Sequence, residues 1–363
     1  MVADPSLRAR RLAAHGLAGP ARGFADPEAV LARLVAVQAQ DFGQARWVLG
    51  ARVPGGTAGE VDAALERRRI VRSWPFRGTL HLVEARLLRG ILSLTAARTL
   101  RSAARRHEQL ELDGAILARA DAIAERELAG GASRSRAELL AAWEAEGIAT
   151  GAGRGYHLIW WLALEARLCC GPVEGNGQRF ALLDDWIGPT PALERDQVLA
   201  ELAVGYARGH GPVTPADLAW WTGLTLGLAR EAVALAGDAL VPAPDGRFAA
   251  ADAPEPPRTP AGAHALAGFD EYFLGYRDRT PVCEPAHHDR VIPGGNGVFQ
   301  PVLVDGGRIV GTWKRAGSAR SGDVELRPFE SWSAAKPERF RPALARWARF
   351  TGTPLGDIRV AAG

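Results

Sequence analysis

The first part of the chain repeats one order of apolar and polar positions: three segments with helical spacing, then two short runs with strand-like alternation. In the first copy, Asp26 and Pro27 begin a helix, a short helix starts from Gln44, and residues 57–60 form a capping box for a third helix. The stretch IVRSWPFRGTLHLV then predicts a strand, a turn and a strand. This is the order of a winged helix.

The same order appears twice more. The second copy has a helix over about residues 113–129, a capping box at 135–138, a helix in GYHLIWWLALEARL and a hairpin signal at Gly175-Asn176-Gly177. The third copy has an apolar helical stripe from Val198 to Tyr206, helices capped by Thr214 and Thr225, and a hairpin about residues 245–246. Three copies in tandem predict three winged-helix domains, over residues 1–100, 101–190 and 191–252.

Beyond residue 252 the pattern changes. Residues 253–262 are rich in proline and predict a linker. PVLVDGGRIVGTWKR predicts a hairpin about Asp305-Gly306-Gly307, DVELRPFE a further strand, and KPERFRPALARWARFTG a closing helix. Residues 263–363 are therefore expected to form a small mixed domain, mostly of β structure.

Composition limits the class of protein. The 363 residues, 47% hydrophobic and 23% charged, are typical of a soluble protein with a large core. No apolar run approaches the roughly 20 residues that span a bilayer, and the first residues have no apolar secretory segment. The three cysteines follow no spacing pattern, which fits a reducing compartment. We expect a cytoplasmic protein with no membrane partner.

The identity of the basic residues is more informative than the net charge. The net charge is only +3, but 42 of the 44 basic residues are arginines. A GC-rich genome is the simplest explanation, although arginine also offers a planar fork for phosphate. Basic clusters at residues 8–11, 67–69, 101–106 and 134–136 therefore allow nucleic acid as a partner.

Several common chemistries can be set aside. Neither lysine follows the spacing of a phosphate-binding loop, and residues 151–155 follow a helix where a dinucleotide-binding loop would follow a strand. No Gly-x-Ser-x-Gly elbow is present. Cys283, Glu284, His287, His288 and Asp289 lack the paired spacing of a zinc site. We expect no metal, no nucleotide cofactor and no other cofactor.

Aromatic and histidine positions allow two interpretations each. The pairs Trp160-Trp161 and Trp220-Trp221 lie in predicted helices, where core packing is favoured over base stacking. His81 lies on a predicted wing strand on the same face as Thr79. A buried histidine with satisfied hydrogen bonds and a polar residue facing DNA remain equal alternatives for His81.

Gln38-Ala39-Gln40 is the candidate catalytic feature. Asp41 and Gly43 predict that a helix ends here, which would let the two amides converge. A glutamine amide cannot act as a general base, but it can hold and orient a water. The alternative is two polar residues at a helix end with no chemistry.

Four pieces of the chain resemble a known family: this triplet, RSWPFRGTLHLV, LAGFDEYFLGYRDR at 266–279 and VLVDGGRIVGTWKR. The chain resembles the AlkZ/YcaQ-type DNA glycosylases of the HTH_42 winged-helix superfamily over most of its length. In that family a Gln-aliphatic-Gln or Gln-aliphatic-Asp triplet is catalytic. The resemblance implies an α+β fold in which tandem winged helices and a C-terminal β-barrel-like domain form a DNA channel. It also implies hydrolysis of the N-glycosidic bond of N-alkylated purines, unhooking of interstrand crosslinks, and in some members self-resistance.

The chemistry fits two amides. A purine alkylated at N7 is cationic and leaves as a neutral base, so it needs no acid; the enzyme must stabilise the sugar cation and present water. We expect Gln38 and Gln40 to do this, in a monomer bound to double-stranded DNA with alkylated bases. Asp41 could contribute to the field but is not expected to act as the base. The residues expected to contact DNA are Arg72, Arg77, Thr79, His81, Arg154, Lys314 and Arg315. The alternatives are a non-catalytic DNA-binding regulator, or an interaction scaffold that does not bind DNA.

Overall fold

The computed structural model describes residues 5–19, 22–174, 177–190, 193–317 and 321–361. The chain is a mixed α+β protein, as the sequence predicts, and it divides into two compact units. The first unit is Met1–Val61, Leu199–Trp221 and Thr225–Gly363; the second is Asp62–Val198 and Thr222–Leu224. The five-part domain division expected from the sequence stays a prediction.

The helices and strands are numbered in chain order. The helices are α1 Pro5–Ala14, α2 Pro27–Leu34, α3 Phe42–Gly50, α4 Ala58–Glu66, α5 Ala85–Gln109, α6 Gly114–Leu128, α7 Arg136–Ala145, α8 Arg154–Leu164, α9 Leu183–Ile187, α10 Arg195–His210, α11 Pro215–Thr222, α12 Leu226–Ala236, α13 Glu271–Leu274, α14 His288–Val291 and α15 Arg341–Phe350. The strands are β1 Ala36–Gln38, β2 Ile70–Phe76, β3 Thr79–Glu84, β4 Arg134–Ser135, β5 Leu168–Glu174, β6 Gly177–Leu182, β7 Leu240–Ala243, β8 Arg247–Ala250, β9 Ala263–Leu266, β10 Val302–Asp305, β11 Arg308–Arg315, β12 Val324–Pro328 and β13 Ile358–Val360.

The helix starts follow the capping signals of the sequence. The Asp26 carboxylate accepts the backbone N–H of Ala29 at 2.7 Å, and Pro27 is the first residue of α2. A reciprocal capping box at Ser135 begins α7. Side-chain caps also begin α4, α6 and α12, at Thr57, Asp113 and Thr225. Each cap satisfies a backbone donor that the helix itself leaves unpaired. Because the capping residue and its partner are close in the chain, these helix starts can be predicted from the sequence.

In the second unit, strands β3, β2, β5, β6 and β4 hydrogen-bond side by side in that order, all antiparallel. The register of β2 with β3 shifts between Ser73 and Phe76, and Pro75 lies in that shift. Pro172 lies in the shift of β5 against β6. Proline has no N–H for a ladder and is tolerated at such irregularities. Gly175 and Asn176 of the expected hairpin turn lie outside the described residues.

In the first unit, α10, α11 and α12 are followed by the hairpin β7–β8, as the third sequence pattern predicts. The apolar stripe of α10 is fully buried in this unit: Leu199, Leu202 and Tyr206 are 0% exposed. The elements thus occur in winged-helix order here, and the number of winged-helix domains in the chain stays a prediction.

A second sheet of the first unit has the order β13-β12-β11-β10-β9 and is antiparallel except between β12 and β13. Helix α15 packs its apolar side on this region, with the Trp347 ring 5.1 Å from that of Trp313 on β11. Strands β9 and β13 are the edges, so the described strands do not close into a barrel. The expected barrel-like domain is therefore not confirmed. No helix of the described residues is long and apolar enough to cross a membrane.

Candidate functional site

The triplet Gln38-Ala39-Gln40 does not lie at the end of a helix, contrary to the expectation from the sequence. Helix α2 ends at Leu34, and Gln38 is the last residue of the short strand β1. The helix ends because Val35 adopts a φ of +68°, a region that a β-branched residue rarely occupies. Its N–H still reaches the carbonyl of Leu31, at 2.7 Å. The backbone therefore turns ahead of the triplet and presents it from an extended segment.

The three residues of the triplet differ in exposure. Gln38 is buried, with 7% of its surface exposed, and Ala39 is 0% exposed. Gln40 is exposed. The triplet therefore crosses from the core of the first unit to its surface within three residues, with an amide at each end.

Both sides of the triplet are fixed to one segment, residues 268–271. Before it, the backbone N–H of Gln38 donates to Oε1 of Glu271 at 3.3 Å. After it, Oε1 of Gln44 accepts the N–H of Gly268 at 2.7 Å. Asp41 is occupied locally, because its carboxylate caps α3 by accepting the N–H of Gln44 at 3.0 Å. Asp41 thus has a structural task beside the triplet.

A buried polar network supports this segment. Oε2 of Glu271 accepts Nε1–H of Trp221 at 2.9 Å and lies 3.2 Å from Nε2 of His210. Next to it, Arg52 forms a bidentate ion pair with Asp270, at 2.8 and 2.9 Å. The charged groups are matched by donors and acceptors, as buried charges require.

His15 extends this network, with Nε2 at 2.9 Å from the hydroxyl of Tyr276. Burial lowers the pKa of His15 well below its ordinary value, and neighbouring cationic groups add to the effect. Sequence reasoning marked residues 266–279 as a block but gave no role to the acids within it. The signal was Asp270-Glu271 inside the apolar run AGFDEYFL, because paired acids in a buried run need partners.

Of the residues of the second unit that were expected to contact DNA, Arg77 and Thr79 lie at the β2–β3 turn. Arg72 and Arg154 form hydrogen bonds to other residues of the unit. Arg77 lies in the β2–β3 turn with a φ of +54°, and Thr79 follows it, half-buried, with its hydroxyl donating to the carbonyl of Phe76 at 3.1 Å. Arg72 is buried on β2 and donates to Oε1 of Gln178 at 2.7 Å. Arg154 begins α8 and donates to the carbonyls of Ala149 and Leu110. Arg72 and Arg154 thus already form hydrogen bonds within this unit.

His81 is fully buried. Its Nδ1–H donates to the carbonyl of Thr79 at 2.9 Å, while Nε2 is buried with no hydrogen-bond partner. Burial lowers the pKa of His81 to about 3, with a contribution from the Arg77 charge. Of the two alternatives left by the sequence, the structure places His81 in the interior, with one of its two nitrogens satisfied.

Lys314 and Arg315 are neighbours on β11 in the first unit. The Lys314 side chain is 48% exposed, with its ammonium 3.5 Å from a Glu325 carboxylate oxygen. The Arg315 guanidinium lies over the Trp347 ring at 5.1 Å. Lys314 is thus open to solvent, and Arg315 is partly used in packing. The turn at Asp305 before β11 is also held to the protein, because the Asp305 carboxylate pairs with Lys336 and Arg339.

The segment after Cys283 contains a group of candidate metal ligands. Ligand atoms of Glu284, His287 and Glu330 lie within 4.8 Å of one another. They line a cavity of about 460 Å³. Glu284 is already ion-paired with Arg308, and the His287 ring stacks on Phe329 at 4.6 Å. Glu284 and His287 thus already have partners within the protein.

One tryptophan of each predicted pair is buried, whereas Trp161 and Trp220 are half-buried. Trp160 and Trp221 are buried, with 6% and 0% of their surface exposed. Nε1–H of Trp160 donates to the carbonyl of Gly78 at 3.1 Å in the second unit. In the first unit, Nε1–H of Trp221 donates to Oε2 of Glu271.

Comparison with known proteins identifies the class. The structure resembles that of Streptomyces sahachiroi DNA glycosylase AlkZ with a TM-score of 0.77, at 23% identity, over 98% of this chain and 99% of that one. This likeness establishes a shared fold.

The family follows from the sequence. A family model described as "DNA glycosylase AlkZ-like" matches residues 31–350. The chain therefore belongs to the AlkZ-like DNA glycosylase family, and the family resemblance and the prediction of a DNA glycosylase are confirmed. A curated relative from Streptomyces sahachiroi, an interstrand DNA cross-link repair glycosylase, is 26% identical over 366 residues, covering 91% of this chain and 92% of the relative.

Proposed function

We propose that this glycosylase hydrolyses the N-glycosidic bond of N7-alkylated purines in duplex DNA, with Gln38 and Gln40 as its catalytic residues. The observation that carries the proposal is the placement of the triplet. It joins the buried core to the surface and is tied on both sides to residues 268–271. A catalytic group must be held in this way to be effective, since small displacements are costly in rate.

The proposed chemistry needs no ionised base. N7 alkylation makes the purine cationic, so its departure needs no proton from the enzyme. The amide oxygens of Gln38 and Gln40 hold a water near C1′ and direct their dipoles at the developing sugar cation. Asp41 stays the cap of α3 in this scheme.

We extend the substrate range to interstrand crosslinks through an N7 purine, because the curated relative carries that activity in its name. A crosslinked base cannot be flipped freely out of the duplex. An exposed Gln40 suits a lesion that must be approached in place. The site is built from one chain, so we expect a monomer to be active.

A duplex containing one N7-methylguanine tests this function. Base release is read as strand cleavage after alkali. We expect Gln38→Ala and Gln40→Ala each to lower the single-turnover rate by about 10²–10³-fold, the range for removal of one preorganised dipole. The salt-dependent affinity for DNA should stay nearly unchanged.

The matched control is Gln197→Ala, which removes an exposed amide from the start of α10 and should keep the wild-type rate. Wild-type activity in both triplet variants would remove the glutamines from the mechanism. Binding by the wild-type protein without any base release would favour the DNA-binding regulator over the N7-alkylpurine enzyme.

A further inference from the structure

Glu271 is a buried acid that the proposed chemistry does not use. It is 0% exposed, in the short helix α13. Burying a carboxylate costs several kcal/mol in order of magnitude unless hydrogen bonds replace water. Three groups do so here: the N–H of Gln38 at 3.3 Å, Nε1–H of Trp221 at 2.9 Å and Nε2 of His210 at 3.2 Å. One of these three contacts is to the backbone of the proposed catalytic triplet.

The His210 side of the carboxylate is fixed in turn. Nδ1 of His210 faces the carbonyl of Tyr206 at 3.2 Å, and because a carbonyl only accepts, Nδ1 carries a hydrogen. Nε2 of the same ring then faces Oε2 of Glu271 at 3.2 Å. The His210 ring stacks on the Tyr206 ring, with 4.6 Å between their centres. The backbone carbonyl of His210 accepts a hydrogen bond from the hydroxyl of Tyr276 at 2.8 Å. The carboxylate therefore cannot move without disturbing α10.

We propose that Glu271 is a positioning residue for catalysis: its carboxylate fixes the backbone of Gln38 and thereby the direction of the triplet amides. This proposal rests on the proposed function. The strand β1 is three residues long and follows Val35, whose φ of +68° is strained for a β-branched residue. The bond from Gln38 N–H to Glu271 constrains the backbone before the triplet, and the bond between Gln44 and Gly268 constrains it afterwards.

A carboxylate suits this position because two of its neighbours, on different oxygens, can only donate. Gln38 N–H on one oxygen and Trp221 Nε1–H on the other both need an acceptor. A glutamine at position 271 has one acceptor and one NH2 group, so whichever way it turns, one of these donors faces another donor. Glu271→Gln therefore keeps the size of the side chain and breaks the hydrogen-bond pattern.

The test combines rate, affinity and backbone protection in Glu271→Gln. On the N7-methylguanine duplex we expect the single-turnover rate at saturating protein to fall by about 10-fold or more, since a misplaced group loses rate steeply. Affinity for the duplex should stay within about two-fold, because phosphate contacts dominate it. Hydrogen exchange of a peptide covering residues 36–40 should become faster, with peptides of α12 unchanged.

Two further variants separate positioning from stability. Tyr272→Phe removes a buried hydrogen bond next door, from the Tyr272 hydroxyl to the carbonyl of Gly307 at 2.7 Å, and leaves the carboxylate alone. It should keep both the rate and the exchange of residues 36–40. Combined with Gln38→Ala, Glu271→Gln should lower the rate little further, because both changes disable the same group.

The outcomes are decisive in each case. Failure of the wild type to release base defeats the proposed function. If the wild type is active, either of two results defeats the positioning role: a loss of rate in Tyr272→Phe equal to that in Glu271→Gln, or unchanged hydrogen exchange of residues 36–40 in Glu271→Gln. If Gln38→Ala has no measurable rate, the double variant cannot be compared with it, and the hydrogen exchange of residues 36–40 decides the question. If Glu271→Gln does not fold, Trp221→Phe removes one donor to the carboxylate and is measured in the same way.

Discussion

At the scale of the residue, the buried polar groups of the described residues are of two kinds: some have hydrogen-bond partners, and some histidine nitrogens have none. Arg52 and Asp270 pair through two hydrogen bonds, and the Glu271 oxygens have donors on both sides. His81 and His264 are different: Nε2 of His81 and both ring nitrogens of His264 are buried without a hydrogen-bond partner. Burial without a hydrogen-bond partner favours the neutral form of such a histidine.

This makes stability depend on pH. Burial lowers the pKa of His81 to about 3 and of His264 to about 4. The unfolded chain takes up these protons near pH 6.5 and the folded chain only at the lower values, so stability is complete above about pH 6.5 and falls as the pH drops. For His81 alone we expect a loss of about 2 kcal/mol at pH 5.

Urea unfolding at pH 7.5, 6 and 5 measures this loss. The variant His81→Asn keeps a donor for the Thr79 carbonyl and removes the titrating ring. We expect a weaker pH dependence in this variant than in the wild type. The same slope in both proteins would show that His81 is not responsible.

At the scale of the element, the proposed site depends on where α2 ends. Val35 closes this helix in a strained conformation and is itself 3% exposed. The space for its side chain comes from Gly205 on α10, where a Cβ would lie 2.3 Å from Cγ2 of Val35. A missing side chain on one helix thus allows the turn that leads into the triplet.

Replacing Gly205 should therefore be harmful in spite of its place in a helix. Alanine normally stabilises a helix interior by about 1 kcal/mol over glycine. Here the added methyl must displace Val35, and we expect Gly205→Ala to lower the free energy of unfolding by about 1–3 kcal/mol. It should also slow base release, because β1 follows Val35 directly. Chemical denaturation and the N7-methylguanine assay measure the two effects.

The control is Gly227→Ala in α12, where the nearest atom to the added Cβ is Oγ1 of Thr225, at 3.8 Å. This variant should be as stable as the wild type or more stable by up to about 1 kcal/mol. A Gly205→Ala protein as stable as this control would show that Val35 yields without cost.

At the scale of the whole molecule, the arginine-rich sequence carries a net charge of only +3. Many arginines are held by acids within their own unit. Arg167 pairs with Asp121 at 2.8 Å and Glu125 at 3.0 Å, and Arg179 with Glu138 at 3.0 Å and Glu174 at 2.9 Å. We therefore expect contact with phosphate to depend on selected residues rather than on overall charge.

The salt dependence of DNA binding tests this selection. The logarithm of the affinity should fall linearly with the logarithm of the salt concentration. We expect Lys314→Ala to weaken binding to all sequences and to reduce the slope by about one, as loss of a phosphate contact does. Arg167→Ala removes a cation that two carboxylates already hold and should leave the slope unchanged. Equal slopes in Lys314→Ala and the wild type would take Lys314 out of the DNA contact.

The sequence by itself determined the local structure and the family. Side-chain caps at Asp26, Asp113 and Ser135 and the turn at 305–307 act between residues close in the chain, so their effect is visible without the fold. The glutamine triplet was visible for the same reason, as a short pattern with an unusual composition. The same patterns led to the family that the comparison confirmed.

Tertiary structure decided the surroundings of the triplet. Nothing near Val35 in the sequence predicts the end of α2, because Gly205 makes room for it from another helix. The partners of Glu271 lie at positions 38, 210 and 221, and their contacts exist only when these segments pack together. The burial of Arg72 and His81 was equally hidden, since alternation along a strand shows which residues share a face but not what covers it. Long-range packing therefore determines how the triplet is held, while short-range patterns show only where it lies.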